Sequence, residues 1–293
     1  MNPTGDQKNN TALCIEPALT LQEQMQTLST DLQATWQATD SMAVAANRSS
    51  QSAPEANARL IKKESRTRII VLPPNSAGQQ LCLKLYKLPE RLRWRSWLGP
   101  ARAKREYNNL KIAQNAGLSV VPPVGWAEIK RKGLLSYSAL GTLYIPAQSL
   151  DKEFAILVPE DPRRNKLIRK AGHLLAEIHK KGLSWMTALP RNIMLDADTD
   201  NTLLAFDIPY GYWHSRSIFG KPAAIYDVHM MLWSGFNVKN EMDAHAFLSA
   251  YCGGDVVSLA KLEQQLEKST ETARFIYRMY TRSAATLKPV RNV

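Results

Sequence analysis

The sequence is poor in cysteine, in acid, in glycine-rich loops and in long apolar runs, and each shortage removes a class of protein. The three cysteines, Cys14, Cys82 and Cys252, are odd in number and far apart. They make neither a disulfide framework nor a zinc-ligand spacing, and they fit a reducing cytoplasm. No apolar run reaches the roughly 20 residues that cross a bilayer. Met1-Asn2-Pro3-Thr4-Gly5-Asp6 has no basic stretch leading into an apolar one, so no secretory signal is read there. His173, His179, His214, His229 and His245 show no metal-ligand spacing with cysteine or with each other. Gly-x-Ser-x-Gly and His-Glu-x-x-His are both missing, which argues against serine hydrolase and metalloprotease chemistry.

Acid is outnumbered: 38 Lys and Arg face 26 Asp and Glu, a net charge of +12 in 293 residues. Such a balance favours anionic partners: nucleic acid, acidic lipid or a phosphorylated substrate. The excess is concentrated. Lys87, Arg91, Arg93, Arg95, Arg102, Lys104 and Arg105 share one stretch with Glu90 as its acid, and Trp94 and Trp97 lie among them. Tryptophan beside arginine suits a membrane-water interface. It also suits nucleic acid through stacking and phosphate contact. The plainer alternative is a solvated helix start with its tryptophans turned inward.

Residues 1–55 are rich in Gln, Ser, Thr, Ala and Asn and read as a flexible tail. Leu19, Leu21, Met25, Leu28, Leu32 and Trp36 have rough helical spacing and give it one amphipathic helix. From Arg59 the pattern becomes β-like. Arg68 to Leu72 and Gln80 to Tyr86 are strands around the turn Pro73-Pro74-Asn75-Ser76-Ala77-Gly78. Pro100 to Ala116 is a helix stopped by Gly117. Leu134 to Tyr137 and Leu143 to Ile145 read as two short strands. After Leu150 the chain is mostly helical, with a strong amphipathic helix over 167–181 ending at Gly182. Strands Asn192 to Leu195 and Thr202 to Phe206 flank a polar turn. Helices follow over 226–233, 242–251 and 257–282. This order is α+β, with two lobes and a cleft near residue 145.

Lys84 ends an apolar strand, and Glu106 is on the next helix. Such a lysine can meet nucleotide phosphates while a helix glutamate holds it, although two exposed charges would be the ordinary reading of that pair alone. Asn192 and Asp207 lie at the two ends of a short hairpin, where an amide oxygen and a carboxylate can converge on one Mg2+, an ion that takes few protein oxygens plus substrate phosphates. Taken singly, Asn192 is also a turn residue and Asp207 a loop acid. The order Lys84, Glu106, Asn192, Asp207 is what sets them apart.

That ordered set resembles the protein-kinase-like superfamily and, within it, the bacterial lipopolysaccharide core kinases, the Kdo and heptose kinase group. The likeness lies in Lys62-Lys63-Glu64-Ser65-Arg66-Thr67-Arg68, Leu83-Lys84-Leu85-Tyr86, Lys104-Arg105-Glu106-Tyr107, Asn115-Ala116-Gly117, Ile178-His179-Lys180-Lys181-Gly182 and Tyr226-Asp227-Val228. It covers residues 59 to 255. The resemblance implies that Lys84 contacts the α- and β-phosphates of ATP, that Glu106 holds Lys84, and that Asn192 and Asp207 bind Mg2+. It implies that 62–68 covers the phosphates, where Arg66 and Arg68 grip by charge in place of a Gly-x-Gly-x-x-Gly loop. Asp227 would brace the catalytic loop.

The family's loop reads His-Arg-Asp, then Asn five residues after the Asp. This chain has Trp185, Met186 and Thr187, then Asn192. Thr187 stands at the catalytic position of the missing Asp, and its hydroxyl does not ionise near neutral pH. General base catalysis typically contributes about 10²–10⁴-fold, and phosphoryl transfer rests mostly on positioning and charge stabilisation. The loss would slow transfer rather than forbid it. Asp196 lies beyond Asn192, in the hairpin, and is badly placed to substitute.

The expected architecture is thus a protein-kinase-like two-lobed fold: tail 1–55, a β-rich N-lobe with one helix over 56–146, and a mainly helical C-lobe over 147–293. The expected function is ATP and Mg2+ binding at the interlobe cleft, with transfer of the γ-phosphate to a sugar hydroxyl of lipopolysaccharide core or another anionic glycolipid. That makes it a phosphotransferase in the cytoplasm, peripheral at the inner membrane. The alternatives are a pseudokinase acting as a nucleotide-responsive scaffold and, behind it, a basic nucleic-acid-binding module.

Overall fold

The computed structural model describes residues 20–30, 32–40, 42, 58–196, 202–235 and 241–283. The chain divides into two compact units, Met1–Ala147 and Gln148–Val293.

The first unit is built on a five-stranded antiparallel sheet. Its strands are β1 (Arg59–Lys63), β2 (Thr67–Val71), β3 (Leu81–Lys87), β4 (Pro123–Arg131) and β5 (Leu134–Leu143). Their order is β1-β2-β3-β5-β4, so β3 is central. In β3 the side chains alternate. Leu81, Leu83 and Leu85 are buried in one core cluster. Lys84 and Tyr86 point the other way, toward α3 (Arg102–Asn115), where both meet Glu106.

The leucine face is covered by α1 (Leu21–Thr30) and α2 (Leu32–Ala38). Met25, Leu28, Leu32 and Trp36 are buried in the same cluster as the β3 leucines, with Ile70, Leu72 and Ala139. The start of α1 is a reciprocal cap. Glu23 N–H donates to Thr20 Oγ1 at 3.3 Å, and Thr20 N–H donates to Glu23 Oε2 at 2.7 Å. The Thr20 N–H foremost, and then the Thr20 hydroxyl, which donates to the same Oε2 at 2.8 Å, hold the Glu23 carboxyl below its usual range.

Here the structure departs from a flexible tail. Leu21–Thr30 and Leu32–Ala38 are helical and belong to the core; the remainder of the expected tail lies largely outside the described residues. The reason is the sheet itself, whose apolar face needs a cover. The short strands expected at 134–137 and 143–145 are one strand, β5. Buried Ser136 and Ser138 interrupt its apolar pattern; Ser138 pairs with Tyr86 and Glu128, the register against β4 shifts at Ser136, and the strand runs on through both.

The second unit is mainly helical: α4 (Leu150–Ile156), α5 (Pro162–Lys180), α6 (Pro222–Gly235), α7 (Glu241–Tyr251) and α8 (Val256–Ser283). Small sheets join β6 (Gln148–Ser149) to β8 (Ile193–Asp196) and β9 (Thr202–Ala205), and β7 (Leu183–Ser184) to β10 (Tyr212–Trp213). Asp161 caps α5 by accepting from Arg163 N–H at 2.8 Å, and Pro162 fills the first turn. A buried ion pair ties α5 to α7. Arg164 reaches Asp243 Oδ2 at 2.6 Å and also donates to the carbonyls of Phe154 and Leu157.

Two glycines decide how closely this unit closes. A Cβ on Gly172 would lie 2.6 Å from the Phe247 carbonyl, so α5 and α7 touch there through backbone. Gly182 has φ +90°, and a Cβ there would lie 2.6 Å from the His214 carbonyl. It ends α5 and turns the chain directly into the loop that carries Thr187.

Candidate functional site

In the first unit, the Lys84 ammonium lies 3.2 Å from Glu106 Oε1. Glu106 is 2 % exposed. A buried carboxylate needs partners for both oxygens, and Tyr86 O–H supplies the second by donating to Oε2 at 2.7 Å. The Arg102 guanidinium lies 4.9 Å from the Tyr86 ring centre and closes the far side. Lys84 is thereby held by strand position and ion pair together. It is directed, not free to sweep a surface, which is what an anion-binding lysine requires. Next to it on the same face, burial pushes the Cys82 thiol up to about 11, against the opposing influence of Lys84. Cys82 stays a thiol at neutral pH and is no nucleophile.

Arg66 and Arg68 do not form a phosphate grip together. Arg66 is in the β1–β2 turn, half-buried, and its carbonyl accepts from Lys87 N–H at 3.0 Å. Arg68 is buried and committed elsewhere. It pairs with Asp40 at 2.7 Å, donates to the Thr39 hydroxyl, and stacks over Trp36 with its guanidinium 4.3 Å from the ring centre. Its charge is spent on fastening the end of α2 to the sheet, because the helix that binds it was read as tail.

In the second unit the loop after Gly182 is organised by one buried carboxylate. Asp227, on α6, accepts from Trp185 N–H and from Met186 N–H, each at 2.6 Å. His179 Nε2 lies 3.2 Å from the same carboxylate, and His179 Nδ1 lies 2.8 Å from Tyr251 O–H. Burial, with the Asp227 charge, drives the Tyr251 hydroxyl far above the usual phenol range, so it remains a donor. A carboxylate only accepts, so His179 presents Nε2–H to Asp227, while Nδ1 meets the Tyr251 hydroxyl. The Asp227 brace expected from the resemblance is present. The chain Tyr251–His179–Asp227 behind it has no signal in the sequence, where His179 shows only that it lacks metal-ligand spacing.

The brace holds a strained turn. Met186 has φ +64° and Asp207 φ +56°. A non-glycine residue in this region costs roughly 1–2 kcal/mol, and such strain collects at functional sites. Two donors converge on the Asp207 backbone carbonyl: Thr187 Oγ1–H at 2.7 Å and Trp185 Nε1–H at 3.3 Å. Asn192 Nδ2–H donates to the Thr187 carbonyl at 2.9 Å. Phe206 N–H donates to the Asn192 carbonyl at 3.0 Å, extending the β8–β9 pairing to the residue before Asp207. Thr187, Asn192 and Asp207 are thus one hydrogen-bonded group. The Thr187 hydroxyl faces a carbonyl, so it supports backbone and takes no proton. Asp196 closes β8 opposite Thr202, at the hairpin's far end from Asn192.

The donor set suits magnesium with a phosphate, and no metal without one. Asn192 has spent its amide nitrogen, which leaves Oδ1 as the amide atom able to coordinate a cation. Asp207 adds one carboxylate. Among the described residues no group of three or more His, Cys, Asp and Glu is arranged to hold a metal. Magnesium takes one or two carboxylates and fills its remaining positions with waters and phosphate oxygens.

Comparison with known proteins gives a shared fold and one matched segment. No curated protein matches the sequence. A solved structure described as WaaP in complex with acyl carrier protein is similar over 73 % of this chain and 88 % of that one, at 16 % identity and a TM-score of 0.52. The two share a fold, an α+β arrangement of an N-terminal antiparallel sheet and a helical C-terminal part. Residues 80–208, which hold Lys84, Glu106, Thr187, Asn192 and Asp207, match the model of the lipopolysaccharide kinase (Kdo/WaaP) family. Through this segment, less than half of its length, the chain is similar to the Kdo/WaaP lipopolysaccharide kinases.

Proposed function

We propose that this protein binds ATP with Mg2+ and acts on the sugar of a lipopolysaccharide core or a similar anionic glycolipid. Lys84, held by Glu106 and Tyr86, takes phosphate oxygens. Asn192 and Asp207 take the metal, which neutralises phosphate charge when bound. The observation that carries this reading is the ion pair between half-buried Lys84 on the central strand and buried Glu106 on α3, inside the matched segment. A thermal-shift titration tests it. ATP with magnesium raises the melting temperature of the wild type. The magnesium-dependent part of that shift disappears in Asp207→Ala, and the whole shift shrinks in Lys84→Met. An equal shift in all three proteins would sink the reading.

A second reading rests on Thr187. Its hydroxyl is bonded to the Asp207 carbonyl and no carboxylate occupies the position. On this reading the protein is a pseudokinase, and nucleotide binding sets the state of a scaffold. Thr187→Asp separates the two. If only the base is missing, phosphotransfer to core oligosaccharide rises by about 10²–10⁴-fold. No gain, with Mg-ATP still bound, assigns the site to binding alone.

A further inference from the structure

The segment between β3 and α3 serves neither the phosphate nor the metal residues. Glu90–Trp97 is a 3₁₀ helix of eight residues, well beyond the usual three or four. With three residues per turn, every third side chain lines up. Arg91, Trp94 and Trp97 form one ridge, and all three are exposed. Arg95 and Leu98 add a second exposed row beside it. Trp94 is 51 % exposed, and Trp97 and Leu98 are each 76 % exposed. The inward ridge is Arg93 and Ser96, both half-buried.

The platform is fastened down, so its display is fixed. Leu88 N–H donates to the Ser136 carbonyl at 2.9 Å. Leu135 N–H donates to Ser96 Oγ at 3.2 Å, and Ser96 Oγ–H donates to the Arg93 carbonyl at 2.6 Å. Arg93 meets Glu90 at 3.2 Å. The Arg95 guanidinium lies 5.6 Å from the Trp94 ring centre. These bonds hold the inward ridge to β5 and leave the tryptophans facing solvent. A merely soluble surface does not place two indoles and a leucine together in water.

We propose that this ridge docks the protein on an anionic lipid bilayer surface. Indole rings settle at headgroup depth, and guanidinium groups pair with lipid phosphates. Leu98, aliphatic and outward, gains from the acyl boundary and gains nothing from stacking on a base, which favours lipid over nucleic acid. The charge is complementary: Arg91 and Arg95 flank the indoles, and Glu90 is already engaged by Arg93. The docking is independent of whether Thr187 permits phosphate transfer.

Co-sedimentation of the full chain with vesicles tests it. At low salt the protein binds vesicles of phosphatidylcholine mixed with phosphatidylglycerol and leaves vesicles of phosphatidylcholine alone largely unbound. Arg91→Gln with Arg95→Gln weakens binding by roughly twentyfold, at roughly fivefold per cation. Trp97→Ser with Leu98→Ser weakens it by at least roughly tenfold, with the melting temperature unchanged, since both side chains stand in solvent. Brominated lipid quenches the wild-type tryptophan emission, and less so after Trp94→Phe with Trp97→Phe. Lack of binding to anionic vesicles at low salt overturns the proposal, as does wild-type binding by both variant pairs. Dependence on the arginines alone, with a DNA duplex displacing the vesicles, assigns the patch to nucleic acid. Capture of an acidic protein through Trp97 and Leu98 with vesicles ignored assigns it to a protein partner. Either result overturns the lipid assignment.

Discussion

At the scale of single residues, the loop that carries Thr187 is held by fasteners. Thr187 and Trp185 give their donors to one carbonyl, that of Asp207, whose φ of +56° needs holding. Thr187→Val removes one of these bonds while keeping the shape. A hydrogen bond of this kind contributes about 1 kcal/mol, a factor of about five in affinity. Calorimetric titration should therefore show affinity for ATP with magnesium falling about fivefold, and affinity for ATP alone little changed. An equal fall in both would mean that the hydroxyl serves the fold generally and not the metal carboxylate. Residue types and order single out Lys84, Glu106, Asn192 and Asp207, and the structure brings Lys84 to Glu106 and ties Asn192 and Asp207 together through Thr187. Tyr251 was not readable: it joins His179 from 72 residues away, and nothing local marks a tyrosine as a histidine's partner. Arg68 misled for a related reason. A basic residue near a turn suggests an anion, and only the folded chain reveals Asp40 and Trp36 around it.

At the scale of elements, periodicity told helices such as α5 and strands such as β3 apart, because their patterns are set by the faces they bury. It failed where the pattern was mixed. The glutamine- and threonine-rich stretch over 21–38 looks solvated, yet every third or fourth position is an apolar residue that packs on the sheet. Leu32 is fully buried, and truncating such a leucine costs about 2–5 kcal/mol. Leu32→Ala should lower the midpoint of urea unfolding accordingly, followed by tryptophan fluorescence. An unchanged midpoint would show that α2 contributes nothing to the core in solution. The 3₁₀ segment is the opposite case. Its composition was conspicuous, but the direction of its tryptophans was open until the three-residue repeat and the Ser96 anchor fixed it.

At the scale of the whole molecule, the net charge of +12 means attraction to anionic surfaces before any specific contact is made. The α+β class was legible from the order of elements, and the fold likeness bears it out. The covering of both sheet faces was not legible, since it is a long-range packing decision. It has a practical consequence. A shortened protein beginning near residue 58 would keep the segment that matches the kinase family, and by sequence it would look like a sensible core. It would also strip the cover from Leu81, Leu83, Leu85, Ile70 and Leu72, leaving a sheet with a greasy outer wall. Such a fragment should come out of cells as aggregate, and its silence in an assay would say nothing about the chemistry of Thr187.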